Sequence, residues 1–282
     1  MTDFWQHGAV TTIHDLAGMS SEQLEERLHE ETKRYAIGLV LPITASDMRA
    51  APFENIIRQL QAATFIHTIV LVLNRAPEVD DYREACRRVA PLKDRLHILW
   101  TDGPRGQELT SGLVDDGFAI SQPGKGRAVW FAFGFLLADP QLRAFVLHDC
   151  DIVDYRWEML GRLCLPMATS SLDFDYCKAY YARCTDKLYG RVARLLVAPI
   201  LQSLIAIFGD DRFLRYMVGF RYPLSGEFAI SSSLARSNRI PSDWGLEVGT
   251  LAEVFRNTST KRVCQVDLAA HYEHKHQDLS LD

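Results

Sequence analysis

The sequence lacks several features that would assign it to a special class of protein. Its six cysteines include no CxxC pair, so neither a zinc site nor a disulfide framework is indicated. Its longest apolar run, residues 195–208, contains Pro199 and is shorter than the roughly 18 residues that span a bilayer. The N-terminus has no basic stretch leading into an apolar one, so no signal peptide is predicted. We therefore expect a cytoplasmic protein with reduced thiols, and a buried helix over residues 195–208.

Basic residues are not in excess either. Lysine and arginine number 31 against 36 aspartates and glutamates, which leaves a formal net charge of -5. Nucleic acids and anionic membranes are usually bound by a basic surface, so neither is an expected partner. A hydrophobic content of 48% over 282 residues suffices for a large core. The composition is that of a globular protein in which any anionic ligand is held locally.

Apolar runs alternate with segments of helical periodicity through the first half of the chain. The predicted strands are residues 35–43, 67–74, 95–102 and a run that ends at Leu147. The predicted helices between them are residues 53–63, 82–92 and 127–138. Strands that are apolar throughout and alternate with helices are typical of a parallel sheet covered on both faces. We predict an α/β fold with a mostly parallel central sheet flanked by helices and a Rossmann-like first half.

Three segments lie outside this alternation. Residues 20–34 have the composition of a charged, solvated helix that begins at a serine, so residues 1–34 are predicted to be a peripheral segment. Residues 103–126 are rich in glycine and serine and lack a period, which predicts a long loop. After about residue 160 the alternation weakens, and helices with a few strands are expected to complete the same sheet.

Two acids follow the strand that ends at Leu147, in the run FVLHDCDIVDY. Asp149 and Asp151 are two positions apart, so in extended backbone both carboxylates project from one side of the strand end. Ligands of parallel sheets bind beyond the carboxyl ends of the strands, and carboxylate oxygens suit Mg2+ or Mn2+ bridging a diphosphate. A solvated turn with a capping aspartate is the alternative.

Two other segments carry groups that suit the same ligand. Lys125 stands between two glycines in QPGKGRAVW, where a flexible backbone lets a cation approach a phosphate, with a plain turn as the alternative. His271, His274 and His276 lie close together near the C-terminus. A histidine there can add a nitrogen ligand to a metal, with a polar tail as the alternative.

A set of short segments in a fixed order gives the sequence a family resemblance. The segments are LVLPI, PGKGRAVW, FVLHDCDIVDY, KAYYAR, YGRVARLLVAPIL, YPLSGEFAI, WGLEVGTLAEV and VCQVDLAAHYEHKHQ. Over residues 35–280 the chain resembles the GT-A-fold retaining glycosyltransferases that make glucosyl-3-phosphoglycerate, mannosyl-3-phosphoglycerate and glucosylglycerate. We therefore expect a GT-A glycosyltransferase fold.

The resemblance implies an activity as well as a fold. It implies a retaining, metal-dependent transfer of glucose or mannose from a UDP or GDP sugar to 3-phosphoglycerate, with free glycerate as the alternative acceptor. It also implies a homodimer and a single GT-A domain, residues 35–282, in which residues 35–155 bind the nucleotide sugar and residues 156–282 bind the acceptor. Members of the family usually continue past the last segment into a C-terminal helical extension.

On the donor side the resemblance implies roles for individual residues. The donor-binding set is Pro42, Ile43, Thr44, Ser46, Asn74, Lys125, Asp149 and Cys150. The family usually has an acid near the position of Ser46, and here Asp47 stands beside it. Asp151 would bind Mg2+ or Mn2+ together with His274, or with one of the other two histidines in its place.

On the acceptor side the resemblance is also specific. The acceptor-binding set is Gly190, Arg191, Val192, Leu224, Ser225, Gly226 and His276. Arg191 offers a fork-shaped guanidinium suited to an anion, while Ala193 stands where the family often has threonine. Glu247 matches an acid close to the reacting sugar, so the implied catalytic set is Glu247, Asp149 and Lys125.

Two other functions fit parts of the sequence. A phosphatase of the haloacid dehalogenase type has its nucleophile in a DxDx[TV] motif, which DCDIV matches, and FGDD at residues 208–211 resembles its later acidic pair. That interpretation leaves Lys125 and the histidines without a role. The other function is that of a catalytically inactive GT-A-like binding module, which loss of a metal ligand would indicate.

Overall fold

An eight-stranded sheet runs through the part of the chain that the structure, a computed structural model, describes: residues 9–14, 19–181, 190–242 and 245–269. Its strands are β1 (Thr11–Ile13), β2 (Ala36–Thr44), β3 (Thr68–Asn74), β4 (Leu96–Trp100), β5 (Leu142–Leu147), β6 (Tyr176–Tyr180), β7 (Phe228–Ser231) and β8 (Val263–Asp267). Their order across the sheet is β1-β8-β6-β7-β5-β2-β3-β4.

Helices cover both faces of this sheet. They are α1 (Ser21–Thr32), α2 (Ala45–Met48), α3 (Ala51–Ala62), α4 (Val79–Val89), α5 (Pro104–Asp115), α6 (Lys125–Leu136), α7 (Trp157–Ala168), α8 (Ala198–Phe208), α9 (Arg212–Val218), α10 (Ser232–Ser237) and α11 (Leu246–Asn257). Buried side chains of α1, α3, α4 and α7 form one core layer, and those of α6, α9, α10 and α11 form the other. Because the sheet lies between two layers, β2 and β3 are apolar along almost their whole length.

The strand directions confirm the predicted α/β fold with a mostly parallel sheet. β2, β3, β4 and β5 are parallel to their neighbours within that group, and β8 is parallel to both β6 and β1. Only β7 runs antiparallel, between β5 and β6, among the strands that the structure describes. The carboxyl ends of β2, β3 and β5 therefore meet at one edge of the sheet, at Thr44, Asn74 and Leu147.

The N-terminal part of the chain belongs to the layered structure, which corrects the prediction of a solvated, peripheral segment. β1 pairs with β8 at the edge of the sheet. α1 starts with a capping box, in which Ser20 and Gln23 exchange hydrogen bonds between their side chains and backbone amides. Leu24 and Leu28 are buried in the core beside α7. One turn apart, they form a narrow apolar stripe that the surrounding charges conceal in the sequence.

Half of the segment predicted as a long loop, residues 103–126, is the helix α5. Pro104 takes its first helical position, where the missing N–H is not needed. Gly106 faces the end of β4, where an added Cβ would lie 2.4 Å from the backbone oxygen of Trp100. The loop prediction was wrong for residues 104–115, where Gly106 serves close packing rather than a turn.

The apolar run predicted as a buried helix is helical but exposed. A π-helical turn, Ala193–Val197, leads into α8, and no residue of either element is buried in the structure as described. Leu195, Ile207 and Phe208 are 66%, 72% and 71% exposed. Burial was wrongly predicted because apolar composition does not say which layer will cover a helix. Among the described residues, no helix has both the length and the apolar character needed to cross a membrane.

Candidate functional site

A cavity of about 360 Å³ opens at the carboxyl ends of β2, β3 and β5. Its lining is Pro42, Ile43, Thr44, Asp47, Asn74, Arg75, Pro123, Gly124, Lys125, Asp149, Cys150, Asp151, Leu246 and Glu247. A larger cavity of about 990 Å³ lies beside the edge strand β4, but its lining includes no acid, lysine or histidine. The smaller cavity is therefore the candidate site, at the edge where parallel sheets bind ligands.

Three charged side chains from separate elements meet in this cavity. Nζ of Lys125 lies 2.6 Å from Oδ1 of Asp149 and 3.3 Å from Oε1 of Glu247. Burial alone would lower the pKa of Lys125, but the charges of the two carboxylates outweigh it and raise the pKa above its ordinary value. The ammonium is therefore charged at neutral pH and is shared between two acids.

The fold explains why these three residues meet. Asp149 follows β5, whose pairing with β2 is extended by a hydrogen bond from the amide of His148 to the carbonyl of Val40. Lys125 is the first residue of α6, so it is held by helix geometry rather than by the flexible loop that the sequence suggested. Glu247 lies in the first turn of α11. Two helix N-termini thus border the cavity, and each carries a partial positive charge that favours an anion.

Gly226 packs against the ion pair of Lys125 and Asp149. A Cβ at this position would lie 2.1 Å from Oδ2 of Asp149 and 2.8 Å from Nζ of Lys125, so any larger residue would displace these side chains. The sequence grouped Gly226 with Leu224 and Ser225 on the acceptor side. The structure places Gly226 against the Lys125–Asp149 pair, and Leu224, Ser225 and Gly226 all lie outside the cavity lining.

The end of β2 forms one wall of the cavity through a small hydrogen-bond cluster. Oγ1 of Thr44 donates to Oδ2 of Asp47 at 2.7 Å, and the amide of Asp47 donates back to Thr44 at 3.2 Å. Ser46 lies 2.8 Å from the Thr44 hydroxyl but is not part of the lining. Asp47, the acid beside Ser46, thus lines the cavity, and its role in place of the family's acid stays a prediction. At the next strand end, Oδ1 of Asn74 accepts a hydrogen bond from Thr101 at 2.9 Å.

The residues between and before the two acids are buried and uncharged. Burial raises the pKa of the Cys150 thiol well above its ordinary value, and the charges of Asp149 and Asp151 raise it further. Burial also lowers the pKa of His148 to about 4, against the opposing charge of Asp149. The thiol is therefore protonated and the imidazole neutral at pH 7. Neither group is a nucleophile or a charged ligand in this state.

The acids of the cavity fit a hard divalent cation. Asp149 and Asp151 both line it, and carboxylate oxygens are the ligands that Mg2+ and Mn2+ prefer. Among the described residues no three His, Cys, Asp or Glu side chains form a complete metal site. The predicted third ligand, His274, lies outside the described residues, as do His271 and His276.

The segment predicted to hold the acceptor lies apart from the cavity lining. Gly190 has a φ of 75°, a left-handed conformation that favours glycine, and its carbonyl accepts a hydrogen bond from the amide of Arg194. Arg191 and Val192 are exposed at the start of the helix that continues into α8. Ala193 begins the π-helical turn.

Four residues of the cavity lining were not predicted from the sequence. They are Arg75, Pro123, Gly124 and Leu246. Arg75 directly follows Asn74 at a strand end and has a φ of 47°, a conformation that few side chains adopt and that strained sites often use. Its position after the strand was a usable signal, whereas Leu246 lines the cavity only through tertiary packing.

Comparisons with known proteins identify similar sequences and structures. The chain is 44% identical over 279 residues to a protein of Persephonella marina named glucosyl-3-phosphoglycerate synthase, which covers 99% of this chain and 69% of that protein. It is 38% identical over 284 residues to a protein of the same name from Methanococcoides burtonii, again covering 99% and 69%. No family model matches the chain.

Solved structures agree with these relatives. The crystal structure of glucosyl-3-phosphoglycerate synthase from Mycobacterium tuberculosis in complex with Mn2+, UDP-glucose and phosphoglyceric acid has a TM-score of 0.69 and 22% identity. It covers 96% of this chain, and this chain covers 81% of it. At that identity the likeness concerns the fold, and it confirms the predicted GT-A glycosyltransferase fold.

Proposed function

Because the chain belongs to the family of glucosyl-3-phosphoglycerate synthases, we propose that it transfers glucose from UDP-glucose to 3-phosphoglycerate with retention of the anomeric configuration. The observation that carries this proposal is the meeting of Lys125, Asp149 and Glu247 at the carboxyl edge of the sheet. The acceptor has one free hydroxyl group, next to its carboxylate, and glucosylation there gives the product that the relatives' names describe.

The choice of donor sugar follows the relatives. Their names specify a glucosyl product, and the similar solved structures contain UDP or UDP-glucose. We therefore propose UDP-glucose as the donor, and a mannosyl donor finds no support. In this proposal residues 35–155 supply the wall that holds the nucleotide, at the ends of β2 and β3, and residues 156–282 supply the acceptor side.

The charges of the site suit departure of UDP. The ammonium of Lys125 and the N-terminus of α6 lie together, so both can stabilise the negative charge that develops on the diphosphate. Asp151, with Asp149 beside it, would hold Mg2+ or Mn2+, and that cation supplies further neutralisation of the diphosphate. Similar solved structures contain Mn2+ or Mg2+ together with UDP, which supports this choice of ion.

The reaction proposed here needs no covalent intermediate. The acceptor hydroxyl attacks the anomeric carbon from the face that UDP leaves, and its proton passes to the departing phosphate oxygen. Asp149 is held by Lys125 at 2.6 Å and the Cys150 thiol is protonated, so neither is set up as a nucleophile. Asp149 and Glu247 instead orient the sugar, and catalysis is a matter of position and charge.

An anionic acceptor requires a cation of its own. Arg191 follows the left-handed Gly190 and is exposed at the start of a helical segment, where a guanidinium can take a phosphate in two parallel hydrogen bonds. We propose that Arg191 and the neighbouring backbone bind the phosphate of 3-phosphoglycerate. Free glycerate lacks this phosphate and is the proper comparison acceptor.

The phosphatase alternative loses support from the position of FGDD. Asp211 caps α9 through its hydrogen bonds to the amides of Phe213 and Leu214, and Asp210 pairs with Arg215. Neither aspartate lines the cavity that contains Asp149. A second acidic pair beside the first is what that chemistry requires.

The test is release of UDP and formation of the glucosylated product from a panel of donors and acceptors. UDP-glucose, GDP-glucose and GDP-mannose are each combined with 3-phosphoglycerate or glycerate, with Mg2+, Mn2+ or EDTA. We expect turnover with UDP-glucose, 3-phosphoglycerate and a cation. Asp151→Asn should abolish it, whereas Asp154→Asn, three residues away and outside the cavity lining, should leave it within about twofold. Phosphate release without sugar transfer, or silence of the folded parent, would overturn the proposal.

We also propose that the protein works as a homodimer through the exposed apolar helix, residues 192–208. This helix is mostly apolar, and its exposed side chains include Leu195, Leu196, Ile200 and Ile207. A helix of that kind is stable in water only when covered, and a two-fold axis lets the same surface of a second copy cover it. Because Arg191 lies at its N-terminal end, the second copy would also steady the acceptor side.

We place the reaction in the cytoplasm. Cys177 and Cys264 are register partners on β6 and β8 and remain unbonded thiols, which suits a reducing compartment.

A further inference from the structure

Lys178 is a buried charged residue that has no direct role in the proposed reaction. It lies in the middle of β6 and is 1% exposed. Its neighbours along the strand, Cys177 and Ala179, are completely buried. An ammonium group taken out of water costs several kcal/mol unless strong partners compensate for it, and an apolar residue would fill the position more cheaply. The partners of Lys178 therefore indicate what the charge is for.

The ammonium of Lys178 is directed to the backbone of one turn. Nζ donates to the carbonyl oxygen of Ser225 at 2.6 Å, a short hydrogen bond in a buried setting. Nζ also lies 5.6 Å from the centre of the Phe228 ring. Burial lowers the pKa of Lys178 to about 8, while the charges of Glu247 and Glu227 act in the opposite direction. At pH 7 the residue is therefore a buried cation, and the charge of Glu247 acts on it as it does on Lys125.

The turn that Lys178 holds is attached to β6 at further points. Oγ of Ser225 donates to the carbonyl of Ala179 at 2.7 Å, and the amide of Ala179 donates to the carbonyl of Glu227 at 3.1 Å. The hydroxyl of Tyr181 donates to Oε2 of Glu227 at 3.1 Å. Lys178 thus belongs to a clamp, made of residues 178–181, that holds residues 225–227.

The clamped turn is the surface against which the reacting groups rest. Gly226, in its middle, leaves no room for even a Cβ beside Oδ2 of Asp149 and Nζ of Lys125. A shift of this turn would therefore move both side chains or open a gap behind them. Such shifts matter because misplacement of reacting groups by about 1 Å can cost on the order of 100-fold in rate.

From these contacts we propose that Lys178 is a positioning residue of the donor site: by holding Ser225 it presses Gly226 against Asp149 and Lys125 and so fixes the groups that orient the sugar. The proposal rests on the glucosyltransferase function proposed above. It assigns a role to a residue outside the cavity lining.

Gln265 offers a matched control for Lys178. It is the register partner of Lys178 on the neighbouring strand β8 and is also 1% exposed. Its side-chain amide donates to Oγ1 of Thr12 at 2.9 Å and to the carbonyl of Gly219 at 2.8 Å, and neither partner lines the cavity. Lys178→Met and Gln265→Met therefore each remove a buried polar group from the same level of the sheet.

The first measurement is hydrogen exchange, which does not depend on activity. The amide of Ser225 donates to the carbonyl of Tyr222, and the amide of Ala179 donates to the carbonyl of Glu227. In Lys178→Met we expect them to exchange at least about tenfold faster than in the parent, while amides of β3 keep parental rates. In Gln265→Met the amides of Ser225 and Ala179 should keep their rates. Parental exchange at both amides in folded Lys178→Met would overturn the proposal.

The second measurement separates catalysis from binding. With UDP-glucose and 3-phosphoglycerate we expect Lys178→Met to lower kcat by about 10- to 100-fold, with the Kd for UDP and Mn2+ changed less than about threefold. Gln265→Met should keep kcat within about threefold. Equal losses in the two variants would reduce Lys178 to a purely structural residue and overturn the proposal. An inactive parent would instead refute the glucosyltransferase function, and the exchange rates would still decide the role of the clamp.

Discussion

Lys125 and Asp149 form an ion pair of 2.6 Å between the first residue of α6 and the loop that follows β5. Glu247 lies 3.3 Å from the same ammonium, so one cation faces two carboxylates before any ligand arrives. Asp151 and Asp47 add further acids to the lining. A diphosphate entering this site meets an excess of negative charge, which explains why a divalent cation is part of the proposal.

Removal of the charge of Lys125 should largely stop glucose transfer. In Lys125→Met the departing diphosphate loses its ammonium partner, and Asp149 and Glu247 are left facing each other without a cation. We expect kcat to fall by about 100- to 1,000-fold, the range seen when one preorganised donor to a developing anion is removed. Lys261→Met, in the short helical turn before β8, should keep parental kcat. Steady-state kinetics with UDP-glucose check this, and a loss under about fivefold would contradict the role.

A methyl group at position 226 should be as harmful as a lost charge. Gly226→Ala places a Cβ where Oδ2 of Asp149 and Nζ of Lys125 now lie, so the pair must separate. We expect kcat to fall at least about 100-fold. Gly112→Ala is the control, because nothing lies within 4 Å of an added Cβ in α5. It should keep full activity and gain about 0.5–1 kcal/mol of stability in urea unfolding. Parental activity of Gly226→Ala would refute the close contact.

Binding of the acceptor phosphate should depend on Arg191. In Arg191→Gln the paired hydrogen bonds to the phosphate are lost, and we expect KM for 3-phosphoglycerate to rise by about 10- to 100-fold with KM for UDP-glucose unchanged. Any residual reaction with free glycerate should be unaffected, because that acceptor has no phosphate. Arg256→Gln, at the far end of α11, is the control. A rise in KM for both acceptors alike would contradict recognition of the phosphate.

His148 should make the protein sensitive to acid. Burial lowers its pKa to about 4, below its ordinary 6.5, so between those values the unfolded chain binds a proton that the folded protein does not. Stability is therefore lost as the pH falls from about 6.5 to 4, by up to about 3 kcal/mol. In metal-free buffer, His148→Leu should show a smaller loss of urea stability than the parent between pH 7 and pH 4.5. An identical pH dependence of the two proteins would contradict a buried, neutral imidazole.

The exposed apolar helix predicts a dimer that charge can break. We expect the parent to be a dimer by light scattering at about 10 µM and Ile207→Glu to be a monomer, since each copy would then bury an unpaired glutamate in the interface. Gln202→Glu adds a charge to an exposed polar position of the same helix. Its oligomeric state should stay closer to that of the parent. A monomeric parent at that concentration would refute the proposed interface.

Much of the fold could be predicted from the sequence because it depends on local patterns. β2 and β3 are continuous apolar runs that end in polar residues, and each lies within one or two residues of its predicted bounds. The edge of the sheet that holds the cavity followed from these strand ends. The predictions of a loop in place of α5 and of a buried α8 were wrong. Both features depend on what packs against a helix, and periodicity within a segment does not contain that information.

The candidate site, like the fold, could be predicted only in part from the sequence. Asp149 was predicted from a strand end, Lys125 from its flanking glycines, and Pro42 and Asn74 from the family resemblance. The structure gathers all four in one cavity. Their individual roles remain predictions. The clamp could not be predicted, because Lys178 reads as an ordinary strand residue until its partner, 47 positions away, is known. The metal-binding histidine stays a prediction outside the described residues.

The pairing of β1 with β8 has a consequence for biosynthesis. Thr12 and Gln265 are hydrogen-bonded although they are 253 positions apart, so the first strand leaves the ribosome long before its partner exists. β8 also completes β6, which means that a nascent chain lacking it exposes an open strand edge. Open edges template aggregation, so truncated translation products should be insoluble and prompt clients of chaperones. The sheet can therefore close over β6 only after β8 has been synthesised.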